Sequence, residues 1–203
     1  LGRALSTTDL VVFDKGGTTA KASIVEGGNL TLTSEYEFRE GISTPSRFIK
    51  AGGYMLKVPA VDIAEVGAGG GSIAWIDAGG LLKVGPESAG ADPGPACYGL
   101  GGNRPTVTDA NVVLGTLNPA GLAAGSLKLD KGKAEQAILH HVAEPLGLSV
   151  TEAAWGIRSI VNANMCRASC AVTVELGFEP RRFTLVAFVG GGPSHAVDLA
   201  KAL

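Results

Sequence analysis

The apolar stretch Leu10-Val11-Val12-Phe13 runs into Asp14-Lys15-Gly16-Gly17-Thr18-Thr19, and a second stretch of strand character, Lys21 to Val25, runs out of it. This order restricts the fold more than any other feature of the chain, because two strands joined through paired glycines make a tight β-turn. It also suits a particular chemistry. Glycines bring backbone N–H groups close to an anion, the Thr hydroxyls add donors, and Asp14 can hold Mg²⁺ directly or through water. Two readings are open on these residues, a phosphate loop and an ordinary hairpin turn.

Other glycines repeat the theme. The chain has 30 glycines in 203 residues, about twice the usual share of roughly 7%. They gather at Gly16-Gly17, Gly69-Gly70-Gly71, Gly99 to Gly102 and Gly190-Gly191-Gly192, each beside an apolar run. Loops that approach a ligand closely explain this, and tight β-turns explain much of it too.

Composition excludes several classes. The net charge of −2 and the absence of Lys/Arg runs give no footprint for nucleic acid or an anionic membrane. No apolar stretch approaches the roughly 20 residues of a membrane span, and the start lacks the form of a secretory signal. Three cysteines cannot all pair internally; Cys166-x-x-x-Cys170 lies in a helical pattern without matching ligands nearby, so reduced thiols and a soluble, cytoplasmic protein are expected. Leu1 in place of Met suggests a piece of a longer polypeptide, with processing as an alternative.

The hydrophobic period divides the chain. From Asp9 to about Gly115 short β-like runs are broken by Gly and Pro, whereas Lys131 to Gly177 has helical periodicity. Strands are expected at Asp9 to Asp14, Lys21 to Val25 and Leu30 to Glu37, with Gly27-Gly28 as a hairpin turn. A second hairpin is expected over Ser72 to Asp77 and Leu81 to Val84, Gly41 to Lys57 is left unassigned, and Gly90 to Gly102 reads as a long ordered loop stiffened by Pro93 and Pro95. One helix is expected over Lys133 to Leu146. A second, capped by Ser149 and Glu152 and ending near Gly177, is expected to run roughly 27 residues. Its core stripe is Ile157, Ile160, Val161, Met165, Ala168 and Val172; Asn162, Asn164, Arg167 and Ser169 read as solvated or interfacial. The chain closes with a buried strand, Phe183 to Val189, then Gly190-Gly191-Gly192-Pro193-Ser194-His195 opening a helix, an arrangement that presents free N–H groups to an anion. It matches neither a P-loop ending in Lys-Ser/Thr nor a G-x-G-x-x-G turn.

A strand-Asp-x-Gly-Gly-Thr-strand hairpin near one end and a strand-Gly-Gly-Gly-Pro-helix near the other resemble the phosphate and adenosine motifs of the actin-like/sugar-kinase ATPase superfamily. Three longer stretches narrow this: Val66-Gly67-Ala68-Gly69-Gly70-Gly71-Ser72-Ile73-Ala74-Trp75-Ile76-Asp77, the run Val84 to Gly99, and Pro105-Thr106-Val107-Thr108-Asp109-Ala110-Asn111. They are similar to the hydantoinase A/oxoprolinase family, and the resemblance extends from about Asp9 to the end of the chain. It implies an α/β, ribonuclease-H-like domain with a mixed sheet, β-hairpins, packed helices and Gly/Pro-rich inserted loops. The expected organisation is one domain over 1–203 with a β-rich insertion at about 41–130.

The resemblance also implies a function. Family members use ATP to open cyclic amides such as hydantoins and 5-oxoproline, and relatives are subunits of ATP-dependent ketone carboxylases. Amides are poor electrophiles, so ATP would phosphorylate the ring carbonyl oxygen, which needs positioning and charge neutralisation on both sides of the γ-phosphate. Asp14 with Mg²⁺ or another divalent ion, and the N–H groups of Gly16, Gly17, Thr18 and Thr19, would serve one side, matching the second of the family's two Asp-x-Gly-Gly-Thr loops. A preceding ATPase domain with the first loop would serve the other, and a second hydantoinase-type subunit is a further possible partner. Gly190, Gly191, Gly192 and Pro193 would lie against adenosine. Lys15 departs from the apolar residue usual at its position and is expected to tip into solvent and to weaken metal binding by repelling the cation; the alternative is that its ammonium points towards phosphate and assists. Asp77, Asp92 and Asp109 are candidates for substrate, metal or loop-tying roles, with Asp14, Asp92 and Asp109 the catalytic candidates. His195 is weighed as a nucleotide contact and not favoured, His140-His141 reads as solvated, and Cys97, with no base in reach, is not read as a nucleophile. Three functions therefore stand: a domain of a cyclic-amide hydrolase, a domain of a ketone carboxylase subunit, and a non-catalytic assembly domain.

Overall fold

The computed structural model describes residues 2–34, 36–38, 54–121 and 127–203; most of the unassigned stretch Gly41 to Lys57 falls outside these. In chain order the strands are β1 (Leu10–Lys15), β2 (Ala20–Glu26), β3 (Asn29–Leu30), β4 (Leu32–Thr33), β5 (Tyr36–Phe38), β6 (Tyr54–Leu56), β7 (Ala60–Val61), β8 (Ala64–Val66), β9 (Ser72–Ile76) and β10 (Leu82–Ser88). Helices α1 (Val107–Val113), α2 (Lys131–Ile138), α3 (Glu144–Leu146) and α4 (Val150–Val172) follow, then β11 (Thr184–Gly190) and α5 (Gly192–Ala202). The described residues form two compact units, one of Leu1–Lys15, Ala20–Val66 and Asn164–Leu203, the other of Gly16–Thr19 and Gly67–Ala163.

The first unit is built on a mixed sheet in the order β11-β1-β2-β3, with β8 also pairing β2. β1 lies antiparallel to β2 and parallel to β11. Strand alternation buries Val11 and Phe13 on one face of β1 and Ala20, Ala22 and Ile24 on the matching face of β2. Val11, Ala22, Ile24 and Ala64 pack with Ala168, Ala171 and Val172 of α4, and Phe178 and Phe183 join this core, their rings meeting edge to face at 5.7 Å. The Gly27-Gly28 hairpin expected from sequence joins β2 to β3, with φ of +55° and +80° at its two glycines, values natural to glycine. The single strand expected over Leu30 to Glu37 is instead broken, because the chain changes partner: β3 pairs β2, β4 pairs β7 and β5 pairs β6.

The second unit contains the expected hairpin, β9 with β10. Its core includes Cys97, Val112, Leu129 and Ala134, with Tyr98, Leu117 and Leu127 against them. The expected helix Lys133 to Leu146 begins earlier, at Lys131 behind the N-cap Asp130, and is interrupted by a π turn over Leu139–Ala143. Pro145 explains the interruption: it lacks an N–H and its ring crowds the carbonyl one turn back, so the helix widens before it.

α4 begins as expected at the Ser149–Glu152 capping box, with Ser149 N donating to Glu152 Oε2 at 2.9 Å and Glu152 N to Ser149 Oγ at 3.2 Å. It has 23 residues rather than roughly 27, because Thr173 leaves helical geometry (φ −121°, ψ −83°) and a short 3₁₀ turn, Val174–Leu176, carries the chain to Gly177. Of the expected stripe, Ile157, Val161, Met165, Ala168 and Val172 are fully buried, and Ile160 is half-buried. Ser169 is a correction: it is buried, its hydroxyl donating to the Met165 carbonyl at 3.4 Å.

Candidate functional site

In the first unit the parallel pairing of β1 with β11 sets Asp14 beside Phe188 and Lys15 beside Gly190, with a register shift between Asp14 and Lys15. Gly191 N donates to Lys15 O at 3.2 Å. The end of the first motif strand and the terminal glycine loop, far apart in sequence, thus adjoin at the carboxyl ends of two parallel strands. Gly190, at φ +48°, turns the chain, and Gly192 and Pro193 open α5 directly. Proline suits a first helical turn because its missing N–H would have no intrahelical partner there. Ser194 Oγ donates to Gly191 O at 2.7 Å, and His195 is fully buried.

Asp14 and Lys15 diverge, as neighbours on a strand must. Asp14 is half-buried, and its Oδ1 is buried with no hydrogen-bond partner. A buried carboxylate oxygen in that state is costly unless something binds it. Lys15 falls on the buried face with Val11 and Phe13 and is 1% exposed. The expectation that it tips into solvent is therefore corrected: a Cβ on Gly191 would stand 3.1 Å from its Nζ, so the ammonium lies against the start of α5.

In the second unit, Gly16–Thr19 lies on the Gly69-Gly70-Gly71 turn. The Gly16 N–H, expected to meet phosphate, is a correction: it closes the loop on Thr19 O at 3.0 Å, and the N–H groups of Gly69, Gly70 and Gly71 donate to Thr18 O, Gly16 O and Gly17 O at 3.1, 3.0 and 2.7 Å. The glycine triplet, read from sequence either as an anion nest or as a bend feeding the next strand, spends its donors on the neighbouring loop. Thr108 holds it from the other side, its N–H and hydroxyl donating to Gly70 O at 2.8 and 2.9 Å.

Asp109 is fully buried. Oδ1 accepts from Cys97 N at 2.8 Å, and Oδ2 accepts from Thr106 N and Thr106 Oγ1, both at 2.8 Å, and from Ala96 N at 3.3 Å. It closes a capping box at the start of α1 and ties down the 3₁₀ turn Ala96–Tyr98, the loop-tying role among those considered for it. Burial, reinforced by the Asp109 carboxylate, pushes the Cys97 thiol far up, away from the thiolate a nucleophile needs. Asp92 is exposed in the turn before Pro93. Asp77 caps the β9–β10 turn, accepting from Gly79 N at 2.9 Å and Leu81 N at 3.0 Å; chiefly the Leu81 hydrogen bond holds its carboxyl below the usual range. His140 and His141 are exposed, as expected, with His140 Nδ1 3.2 Å from Glu144. One polar cluster passed unnoticed in the sequence: Arg158 of α4 is buried and donates to Asn111 Oδ1 at 2.7 Å. Its only signal was an arginine one position from the apolar stripe.

The hydantoinase/oxoprolinase family model matches residues 1–203, and the chain belongs to that family. It is similar to caprolactamase subunit alpha of Pseudomonas jessenii, 42% identical over 195 residues, 96% of this chain and 26% of that one. The crystal structure of the ATP-dependent caprolactamase from that organism matches at a TM-score of 0.85 and 39% identity, over 99% of this chain and 27% of the other. A nucleotide-free acetone carboxylase structure, from work on ATP-dependent acetone carboxylation, matches at a TM-score of 0.84 and 28% identity, over 98% and 26% of the two chains. The chain thus spans about a quarter of the length of these relatives.

Proposed function

We propose that this chain is the nucleotide-gripping part of an ATP-dependent enzyme that opens cyclic amides, with the second Asp-x-Gly-Gly-Thr loop of a two-loop ATP site. The observation that carries it is Asp14 Oδ1, buried and without a partner beside the Gly190–Gly192 loop, in a chain 42% identical to a caprolactamase subunit. The residues fit a divalent cation in one respect: Asp14 offers an unused carboxylate oxygen. No group of three or more His, Cys, Asp and Glu side chains suited to a metal occurs among the described residues, so Asp14 would hold an ion whose other ligands are water and phosphate, the usual state of Mg²⁺ in such sites. ATP, when bound, supplies the phosphoryl group that activates a carbonyl oxygen.

This chain's residues bind and orient. The N–H groups of Gly17, Thr18 and Thr19 would receive phosphate oxygens, and Gly190 to Pro193 would lie along the nucleoside, where side chains would obstruct it. Asp109 would act at a distance, by holding the loop over Ala96–Tyr98, and Asp92 remains a proposed substrate-side carboxylate on its exposure and position in that loop. A further ATPase domain, and a second subunit, would complete the site. The fit to acetone carboxylase favours a second reading, in which the same grip serves carboxylation of a ketone.

Isothermal titration of ATP-Mg²⁺ into the full-length protein should give saturable binding that Asp14→Ala abolishes or weakens at least about tenfold. Equal binding by both would sink the role given to Asp14. ADP release should then depend on a lactam, hydantoin or 5-oxoproline; release only with a ketone and bicarbonate would favour the carboxylase.

A further inference from the structure

We infer that the Gly69-Gly70-Gly71 turn is a template that holds Gly16–Thr19 in its phosphate-receiving form, making Gly69 and Thr108 positioning residues of the nucleotide site; the inference rests on the ATP reading above. The argument is one of peptide geometry. A trans peptide is planar, and its C=O and the N–H of the next residue point in opposite directions. The turn captures the carbonyls of Gly16, Gly17 and Thr18. The same three peptide units therefore aim the N–H groups of Gly17, Thr18 and Thr19 to the other side, and these three donate to no partner among the described residues. Three unspent N–H groups in succession would form an anion-binding concavity, made by what grips the loop from behind.

Glycine is required in the template because two backbones touch. A Cβ on Gly69 would fall on the backbone of Gly17 and Thr18, and one on Gly71 would stand 2.8 Å from Ser88 Oγ and 3.2 Å from Gly17 O. Nothing within 4 Å crowds Gly17 itself, so the constraint is on the template side. The turn is in turn anchored: Thr108 N and Oγ1 both donate to Gly70 O, and Ala89 N donates to Gly71 O at 2.8 Å. The long Gly/Pro loop and the start of α1 thus hang from the glycines that support the phosphate loop, which gives the Val66 to Asp77 stretch a role in nucleotide binding without a ligand contact of its own.

The test uses the full-length protein and reads ATP-Mg²⁺ affinity by titration together with hydrogen exchange of the peptide spanning Gly16–Thr19 without nucleotide. Gly69→Ala should weaken ATP about tenfold or more and speed exchange in the loop. Thr108→Val, which removes one anchor to Gly70, should weaken ATP a few-fold, and Thr108→Ser, which keeps the hydroxyl, should restore it. A merely structural role would lower the melting temperature and leave affinity and loop exchange unchanged; that result in Gly69→Ala, or in Thr108→Val if Gly69→Ala does not fold, overturns the inference. If the wild type binds no ATP, the nucleotide reading fails and the template role with it, whereas wild-type binding with unaffected variants removes the template alone.

Discussion

Asp109 concentrates more buried polar structure than any other carboxylate described above. Removing its carboxylate strips partners from the N–H groups of Ala96, Cys97 and Thr106 at once. A buried donor left unsatisfied costs about 1–3 kcal/mol, so Asp109→Ala should destabilise the protein by at least about 3 kcal/mol in urea unfolding. A loss under about 1 kcal/mol would mean the loop is held by other means. The Thr-x-x-Asp spacing made an N-cap readable at this position, yet the same letters allowed a substrate or metal ligand. Distinguishing them took the position of Cys97, which only folding brings to the carboxylate. Lys15 teaches the reverse. Alternation along β1 already put it on the face of Val11 and Phe13, and the expectation of exposure followed the residue's charge instead of the strand's period.

Capping and turn chemistry were legible at the level of elements because they are local. Ser149 with Glu152, and Asp77 with Gly79 and Leu81, involve residues within four positions of each other. Glu152 is held below the ordinary carboxylate range chiefly by its hydrogen bond from the Ser149 hydroxyl, and Asp77 chiefly by the Leu81 N–H. A carboxyl depressed in the folded state adds stability that is full above its unfolded pKa and is lost as pH falls through the folded one. Both contributions should therefore fade below roughly pH 4. The double variant Asp77→Asn, Glu152→Gln should melt lower than wild type at neutral pH, and the difference should shrink on acidification across that window. A gap in melting temperature that does not change with pH would contradict this. Helix ends were less legible. The stop of α4 depends on Thr173, whose hydroxyl donates to Ser169 O at 2.8 Å, and the π turn depends on where Pro145 falls against α2; neither follows from hydrophobic period alone.

Across the whole molecule, the Asp14 to Thr19 stretch is divided between the two compact units, with Asp14 and Lys15 in the first and Gly16–Thr19 in the second. Phosphoryl transfer needs charge neutralised on both sides of the transferred group. With one phosphate loop, residues 1–203 expressed alone should show no metal-dependent ATP turnover in a phosphate-release assay; measurable turnover would refute the two-loop reading. The Asp14 to Thr19 hairpin, the β9–β10 hairpin and the α4 stripe could be read from the order of residues, since each rests on local spacing, and the family and its mixed α/β class from the resemblance of the Val66 to Asp77, Val84 to Gly99 and Pro105 to Asn111 stretches. Folding alone settled the parallel pairing of β1 with β11, the burial of Lys15 against α5, the commitment of Asp109 to the Ala96–Tyr98 turn, and the hydrogen bonds from Gly69-Gly70-Gly71 to the Gly16–Thr19 loop. Those features are hydrogen bonds and contacts between residues a dozen or more positions apart, and a linear pattern contains no term for which carbonyl meets which N–H.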